Sequence, residues 1–219
     1  MTPPTAPRMA GNPLYGPGRE LLLARGYVPE GRAQFYMREV ARGITGLVWF
    51  NAADRAKFLD LHPKVGLRHE ELTRTVIELA RLKAPPPSTL MRSLYALHPT
   101  KRSAHASIVI RGEDEHNAEV WGWVAHQLDE YGEPWLREHA DPDRMAQSLR
   151  NLEAGAFSRV TLPVLLWLSG AADAARQALE WGRSLNVNGG PTVDYDAFAN
   201  RLLAEIDASP DGPVPTLVP

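Results

Sequence analysis

The chain has 219 residues, 44% of them hydrophobic, so one sizeable domain can bury a core without help from disulfides or a structural metal. Its 24 basic and 26 acidic residues leave a formal net charge of −2, which argues against a general polyanion binder, because non-specific nucleic-acid affinity needs many Lys and Arg contacts to phosphates. The absence of cysteine excludes disulfides, thiolate catalysis and cysteine-ligated zinc.

Both ends of the chain are rich in proline and glycine. Residues 1–18 contain no apolar segment of the kind that makes a secretory signal, and we expect a disordered arm there. Residues 208–219 predict a disordered tail for the same reason. The longest apolar run, Leu162 to Leu168, is far shorter than the roughly 20 residues of a membrane helix. We therefore expect a cytoplasmic protein with no membrane part.

The first third of the chain predicts a helix followed by an antiparallel meander. A helix over residues 19–25 has an apolar face of leucines, and Gly26 after it is typical of a left-handed C-terminal cap. Three segments then have the composition or the alternation of strands: residues 34–40, 44–50 and 58–62. Pro63 suits the end or the edge of the third strand.

Helical spacing takes over next and dominates the second half. The spacing predicts a helix over residues 69–83, which a run of three prolines ends, and two further strands over residues 90–97 and 104–111. From there we predict helices only. They cover residues 114–131, a segment that starts at the N-cap Asp141, residues 161–169 and 171–185, and a last segment that starts at Asp194.

This order of elements predicts an α+β fold. We expect an antiparallel sheet of four to five strands with helices on one face, plus a C-terminal helical layer. Along the chain we expect the α+β domain over residues 19–155 and a helical extension packed on it over residues 156–207.

Four segments carry a family resemblance. They are LLLARGY at residues 21–27, RAQFY at 32–36, GLVWFN at 46–51 and YGEPWL at 131–136. In these features the stretch from residue 19 to about 150 resembles a group of bacterial α+β domains of unknown function. Some small proteins of this kind act as immunity or toxin-neutralising partners. The resemblance thus implies a fold and suggests a protein partner, although a fold alone does not fix a function.

The chain contains few patterns that point to catalysis. It has neither a phosphate-binding glycine loop nor a nucleophile elbow. His62, His69 with the neighbouring Glu70, and His98 could bind zinc or form an acid–base pair if their loops met in space, but nothing in their spacing requires it. We keep a metal-dependent or acid–base hydrolase as the alternative function, and otherwise expect no cofactor and no bound metal.

Tryptophans are the better candidates for a functional surface, because this residue is enriched in binding hot spots. Trp49, Trp123 and Trp135 are the candidates for partner binding. Trp121 and Trp123 cannot share a helix face at a spacing of two, so if Trp121 is core, Trp123 packs on another layer or lies at the surface. The primary prediction is a non-enzymatic protein-interaction module, with an immunity-type neutralising protein as its specific form. A nucleic-acid accessory role through Arg-rich strands is a third option.

Overall fold

The computed structural model describes residues 16–30, 35–54, 59–100, 108–110, 114–151, 157–185 and 193–212. These residues form an antiparallel sheet and a set of helices, which confirms the α+β class. The described strands are β1 (Val28–Pro29), β2 (Phe35–Ala41), β3 (Ile44–Asp54), β4 (Leu59–His69), β5 (Leu90–Ser93) and β6 (Ile108–Ile110). The sheet order is β1-β2-β3-β4-β5, and β6 also pairs with β4.

The helices follow the predicted order with two changes. They are α1 (Pro17–Leu23), α2 (Glu70–Ala80), α3 (Leu94–Leu97), α4 (Asp114–Gln127), α5 (Glu133–His139), α6 (Pro142–Arg150), α7 (Ser158–Leu168), α8 (Ala172–Ser184) and α9 (Tyr195–Ala208). Both predicted aspartate caps are confirmed: Asp141 Oδ1 accepts the backbone N–H groups of Asp143 and Arg144, and Asp194 Oδ1 accepts that of Ala197.

Two of the predicted boundaries are wrong for local reasons. Residues 94–97, predicted as strand, form the short helix α3. The helix predicted over residues 114–131 does not end there, because a π-helical turn over Leu128–Gly132 leads directly into α5. Gly132 serves close packing, since a Cβ there would lie 3.0 Å from Leu94 Cδ2, and Pro134 is the second residue of α5, directly after the π-helical turn.

Pro63 also differs from its prediction, because β4 continues through it to His69. The short strand β6 pairs only with residues 59–61 of β4, so Pro63 comes after the last of those pairs. A proline is tolerated in a sheet where its missing N–H is not needed for a ladder bond.

The chain divides into two compact units. The first comprises the described parts of residues 1–67 and 91–138, and the second those of residues 68–90 and 139–219. In the second unit α7 is the central helix, since it packs against α2, α6, α8 and α9. The α+β domain predicted over residues 19–155 includes α2, whereas in the structure α2 packs on α7 and α9. Most of the predicted arm and tail, residues 1–15 and 213–219, lies outside the described residues.

The sheet of the first unit has two different faces. We call the face that carries Tyr36, Val48 and Phe50 the inner face; all three side chains are fully buried. Helix α4 covers it through Trp121, whose ring meets Phe50 edge-on at 5.5 Å. The opposite, outer face carries the alternate residues of the same strands, because neighbouring side chains on a strand point to opposite sides.

Candidate functional site

His62 on β4 and His98 after α3 both lie in the first unit, and each has a partner close to it in the chain. His62 Nε2 lies 3.8 Å from Asp60 Oδ2, and both side chains are partly buried. His98 Nδ1 accepts the backbone N–H of Thr100 at 3.2 Å, and its ring lies 5.2 Å from that of Tyr131. The His62 contact lies along the surface of β4, and the His98 contact lies within a tight turn.

His69 and Glu70 belong to the second unit, where they start α2. His69 Nδ1 accepts the backbone N–H of Leu72 at 3.3 Å and so acts as the helix N-cap. Burial lowers the pKa of His69, and the charge of Glu71 opposes this shift. Glu70 is exposed in the first turn, where a carboxylate offsets the positive end of the helix dipole.

The structure therefore gives His69 and His98 hydrogen bonds within their own segments, places His62 beside Asp60, and places Glu70 at a helix start. Within the described part of the chain, no group of three or more His, Asp or Glu side chains is arranged to hold a metal ion.

The candidate tryptophans differ in exposure. Trp135 of α5 is only 8% exposed and lies in the core of the first unit. Trp121 is also buried, at 4%, which leaves Trp123 on another side of α4, as its spacing predicted. Trp123 is half-buried and packs on Tyr95 with ring centroids 4.6 Å apart. Trp49 and Trp123 are thus the two candidates with accessible surface.

Trp49 lies on the outer face in a small aromatic cluster. It is directly opposite Phe35 of β2, and the two rings stack at 5.0 Å with 22° between their planes. The ammonium group of Lys64 on β4 lies 5.0 Å from the centre of the Trp49 ring. We call Phe35, Trp49 and Lys64 the outer-face cluster; all three side chains are partly exposed.

Aliphatic residues extend this cluster toward the edge of the sheet. Val28 of β1 pairs with Met37 of β2, which pairs in turn with Leu47 of β3, so the three form a row beside Trp49; Met37 is partly exposed, whereas Leu47 is fully buried. Val28 is 57% exposed, and β1 is the terminal strand in the sheet order. Asp60 and His62 share the side of β4 that carries Lys64. The outer face thus combines aromatic, aliphatic and mixed-charge groups.

A buried polar cluster holds the opposite side of the same unit together. Glu133 of α5 is 7% exposed; its Oε1 accepts the hydroxyl of Tyr27 at 2.7 Å, and its Oε2 pairs with Arg38. The Arg38 guanidinium lies 4.6 Å from the centre of the Tyr27 ring and donates to the carbonyl of Arg25 at 2.8 Å. Burial, and then the neighbouring Glu133 charge, raise the pKa of Tyr27. Every member has a partner, so the cluster is structural.

Phe35 and Lys64 are the members of the outer-face cluster that were not predicted from the sequence. Strand alternation could have placed Lys64 on one face of β4, but only the pairing register brings Phe35 opposite Trp49.

The chain matches no family model, no curated protein and no solved structure. The resemblance to bacterial α+β domains therefore stays a prediction, as does the role that it implies. In the part of the chain that the structure describes, no helix is long and apolar enough to cross a membrane.

Proposed function

We propose that this chain is a non-enzymatic protein-interaction module that binds a protein partner through the outer face of its sheet. The observation that carries the proposal is the outer-face cluster. A tryptophan stacked on a phenylalanine and contacted by a lysine stays partly exposed on a face that also carries the 57% exposed Val28. Large aromatic side chains held in this way supply binding area at a low entropy cost.

The contacts of Trp49 favour recognition over simple packing. Its ring is fixed on one side by Phe35 and lies close to the Lys64 ammonium, so a partner would meet a rigid apolar surface bordered by a positive charge. Asp60 and His62 add a second, polar border on β4. Such a mixed rim around an aromatic centre is the usual anatomy of a protein interface.

The local roles of the histidines support the same proposal against the hydrolase alternative. His69 Nδ1 caps α2 and His98 Nδ1 accepts an N–H within a turn, so one nitrogen of each imidazole already has a partner in its own segment. A partner of the kind that the resemblance implies, a toxin-like protein that this chain neutralises, is the specific form of the proposal that we favour.

The test compares variants of two half-buried tryptophans. Immobilised wild-type protein, Trp49→Ala and Trp181→Ala are each incubated with bacterial lysate, and the affinity of the recovered protein is then measured with purified components. We expect the wild type and Trp181→Ala, whose tryptophan lies on α8 in the second unit, to bind with equal affinity. Trp49→Ala should bind roughly 30-fold more weakly, as a hot-spot residue does.

Two outcomes would count against the proposal. One is that no protein is recovered in stoichiometric amount by the wild type. The other is a partner that Trp49→Ala binds as tightly as the wild type does, which would place the interface elsewhere. Circular dichroism of each variant shows whether its fold is intact before its affinity is compared.

A further inference from the structure

A second accessible aromatic feature lies beside α4 in the first unit. Tyr95, Ile108, Glu119, Val120 and Trp123 line an open pocket with a volume of about 280 Å³. Trp123 neighbours both Glu119 and Val120 on the surface of α4, because residues three and four apart on a helix are neighbours. Tyr95 comes from α3 and Ile108 from β6, so three separate elements build the walls.

The chemistry of these walls is specific. Tyr95 and Trp123 pack with 32° between their ring planes, and both contribute surface to the pocket. Val120 and Ile108 add apolar wall, and Glu119 is an exposed carboxylate on the same helix side as Trp123. Aromatic faces attract cations through their negative π surface, and a carboxylate adds a full opposite charge.

We propose that this pocket binds a small organic cation of the alkylated ammonium class. The apolar walls suit the methyl groups of such a cation, and Glu119 supplies the one formal charge among the described residues that line the pocket, which is negative. The volume lies just below the roughly 300–1,000 Å³ of typical small-molecule pockets, which favours a compact ligand.

This site is distinct from the outer-face cluster. Ile108 of β6 pairs with Leu61 of β4, and both are buried on the inner side, whereas Asp60, one residue away on β4, shares the side of Lys64. The pocket and the outer-face cluster therefore belong to opposite sides of the sheet, and the ligand site does not depend on the proposed partner surface.

The test uses choline and its uncharged carbon isostere, in which a tert-butyl group replaces the trimethylammonium group. Binding to the full chain is followed by NMR at the indole N–H of Trp123, which the spectrum of Trp123→Phe identifies. We expect choline to shift this resonance with a dissociation constant below about 10 mM, and the isostere to bind at least about five-fold more weakly.

Variants that remove one negative charge test whether Glu119 contributes to binding or whether the aromatic rings alone account for it. Glu119→Gln should weaken choline binding at least about three-fold and leave the isostere unchanged, while Glu130→Gln, at another exposed glutamate of the same unit, should change neither. Glu119 is exposed, so its variant retains the fold and the comparison stands even if Trp123→Phe perturbs packing. Equal binding of choline and its isostere, an unshifted Trp123 indole, or choline binding that Glu119→Gln leaves unchanged would each overturn the proposal.

Discussion

The two units of the molecule hold their aromatic side chains in different ways. In the second unit the Trp167 indole donates to the carbonyl of Ser209 at 3.0 Å, and the Tyr195 hydroxyl donates to that of Leu179 at 3.0 Å. Burial raises the pKa of Tyr195 to about 12. The first unit holds Tyr27 in the same way, through its hydroxyl, but it also has Trp49 and Trp123, which are half-buried, have no backbone hydrogen bond of that kind among the described contacts and lie near charged side chains.

This difference distinguishes side chains that stabilise the fold from side chains that are available to bind a partner. Helix α7 is buried at every position from Val160 to Trp167, so its aromatic and aliphatic groups serve the fold. The sheet of the first unit buries its inner face and leaves apolar area on its outer face. On that face Leu47 is buried, but Phe35, Met37 and Trp49 stay partly exposed, and exposed apolar patches mark interaction sites in monomeric proteins. Substitutions should therefore affect the unfolding free energy most in the buried clusters and least in the outer-face cluster.

The largest effect should come from Glu133→Ala in the buried polar cluster. The change leaves the Tyr27 hydroxyl and the Arg38 guanidinium without their acceptor, and breaking a buried pair in this way is strongly destabilising. Arg38 is partly exposed and can regain water, so we expect a loss of about 2–3 kcal/mol in urea unfolding. Glu130→Ala, at an exposed position, should change the value by less than about 0.5 kcal/mol. If Glu133→Ala and Glu130→Ala lowered the unfolding free energy equally, the buried polar cluster would contribute little to stability.

A smaller loss should follow Gly182→Ala in the second unit. A Cβ at Gly182 would contact the Tyr195 hydroxyl, lie 2.7 Å from Tyr195 Cζ and lie 3.2 Å from the carbonyl of Arg159. We expect this overpacking to outweigh the better helix propensity of alanine, with a net loss of about 1–2 kcal/mol in the same assay.

Gly122→Ala is the matched control for that change, since a Cβ there meets nothing within 4 Å. On an open helix surface alanine should raise the unfolding free energy by about 0.5–1 kcal/mol. If Gly182→Ala were as stabilising as Gly122→Ala, the contact between α8 and Tyr195 would be loose, and the contrast between the two units would fail.

Acid should weaken the cap of α2. Burial lowers the folded-state pKa of His69 below its ordinary 6.5, so the neutral imidazole is favoured in the folded chain. The contribution of the neutral His69 cap to the unfolding free energy is therefore complete above about pH 6.5, and it is lost as the pH falls through the folded-state pKa of His69. Protonated Nδ1 can no longer accept the N–H of Leu72, and we expect a loss of about 1 kcal/mol.

His69→Asn tests this origin, because asparagine is a good N-cap and does not titrate. The difference in unfolding free energy between the wild type and His69→Asn should change between pH 8 and pH 5, in favour of the variant at the lower pH. A difference that stays constant with pH would place the acid sensitivity in another group.

The sequence predicted what depends on local chemistry. Asp141 and Asp194 were assigned as caps from their own side chains, and Gly26 has the positive φ, 77°, that its position after α1 implied. The π-helical turn before α5 was missed, because Gly132 and Pro134 carry the usual signals of a helix end and only packing against Leu94 and Val65 shows why the chain continues.

The outer-face cluster was only partly predictable for a different reason. The turn pairs Ala41 with Ile44, and continuing this register would place Trp49 opposite Tyr36, on the inner face. A bulge between Glu39 and Ala41 shifts the register by one residue and places Trp49 opposite Phe35 instead. A one-residue slip moves a whole strand to the other face, and no local pattern marks this bulge.

The smallest effect on stability should come from Lys64→Gln in the outer-face cluster. A partly exposed cation beside an aromatic ring contributes about 0.5–1 kcal/mol at most, so the unfolding free energy should fall by about 0.5 kcal/mol. Its effect on partner binding should be larger, with a lower association rate and a weaker salt dependence, because charges at an interface rim steer encounter. Stopped-flow binding at two salt concentrations measures both. An unchanged association rate together with a large loss of stability would make Lys64 a structural residue, and the outer face would then serve the fold in the way that α7 does.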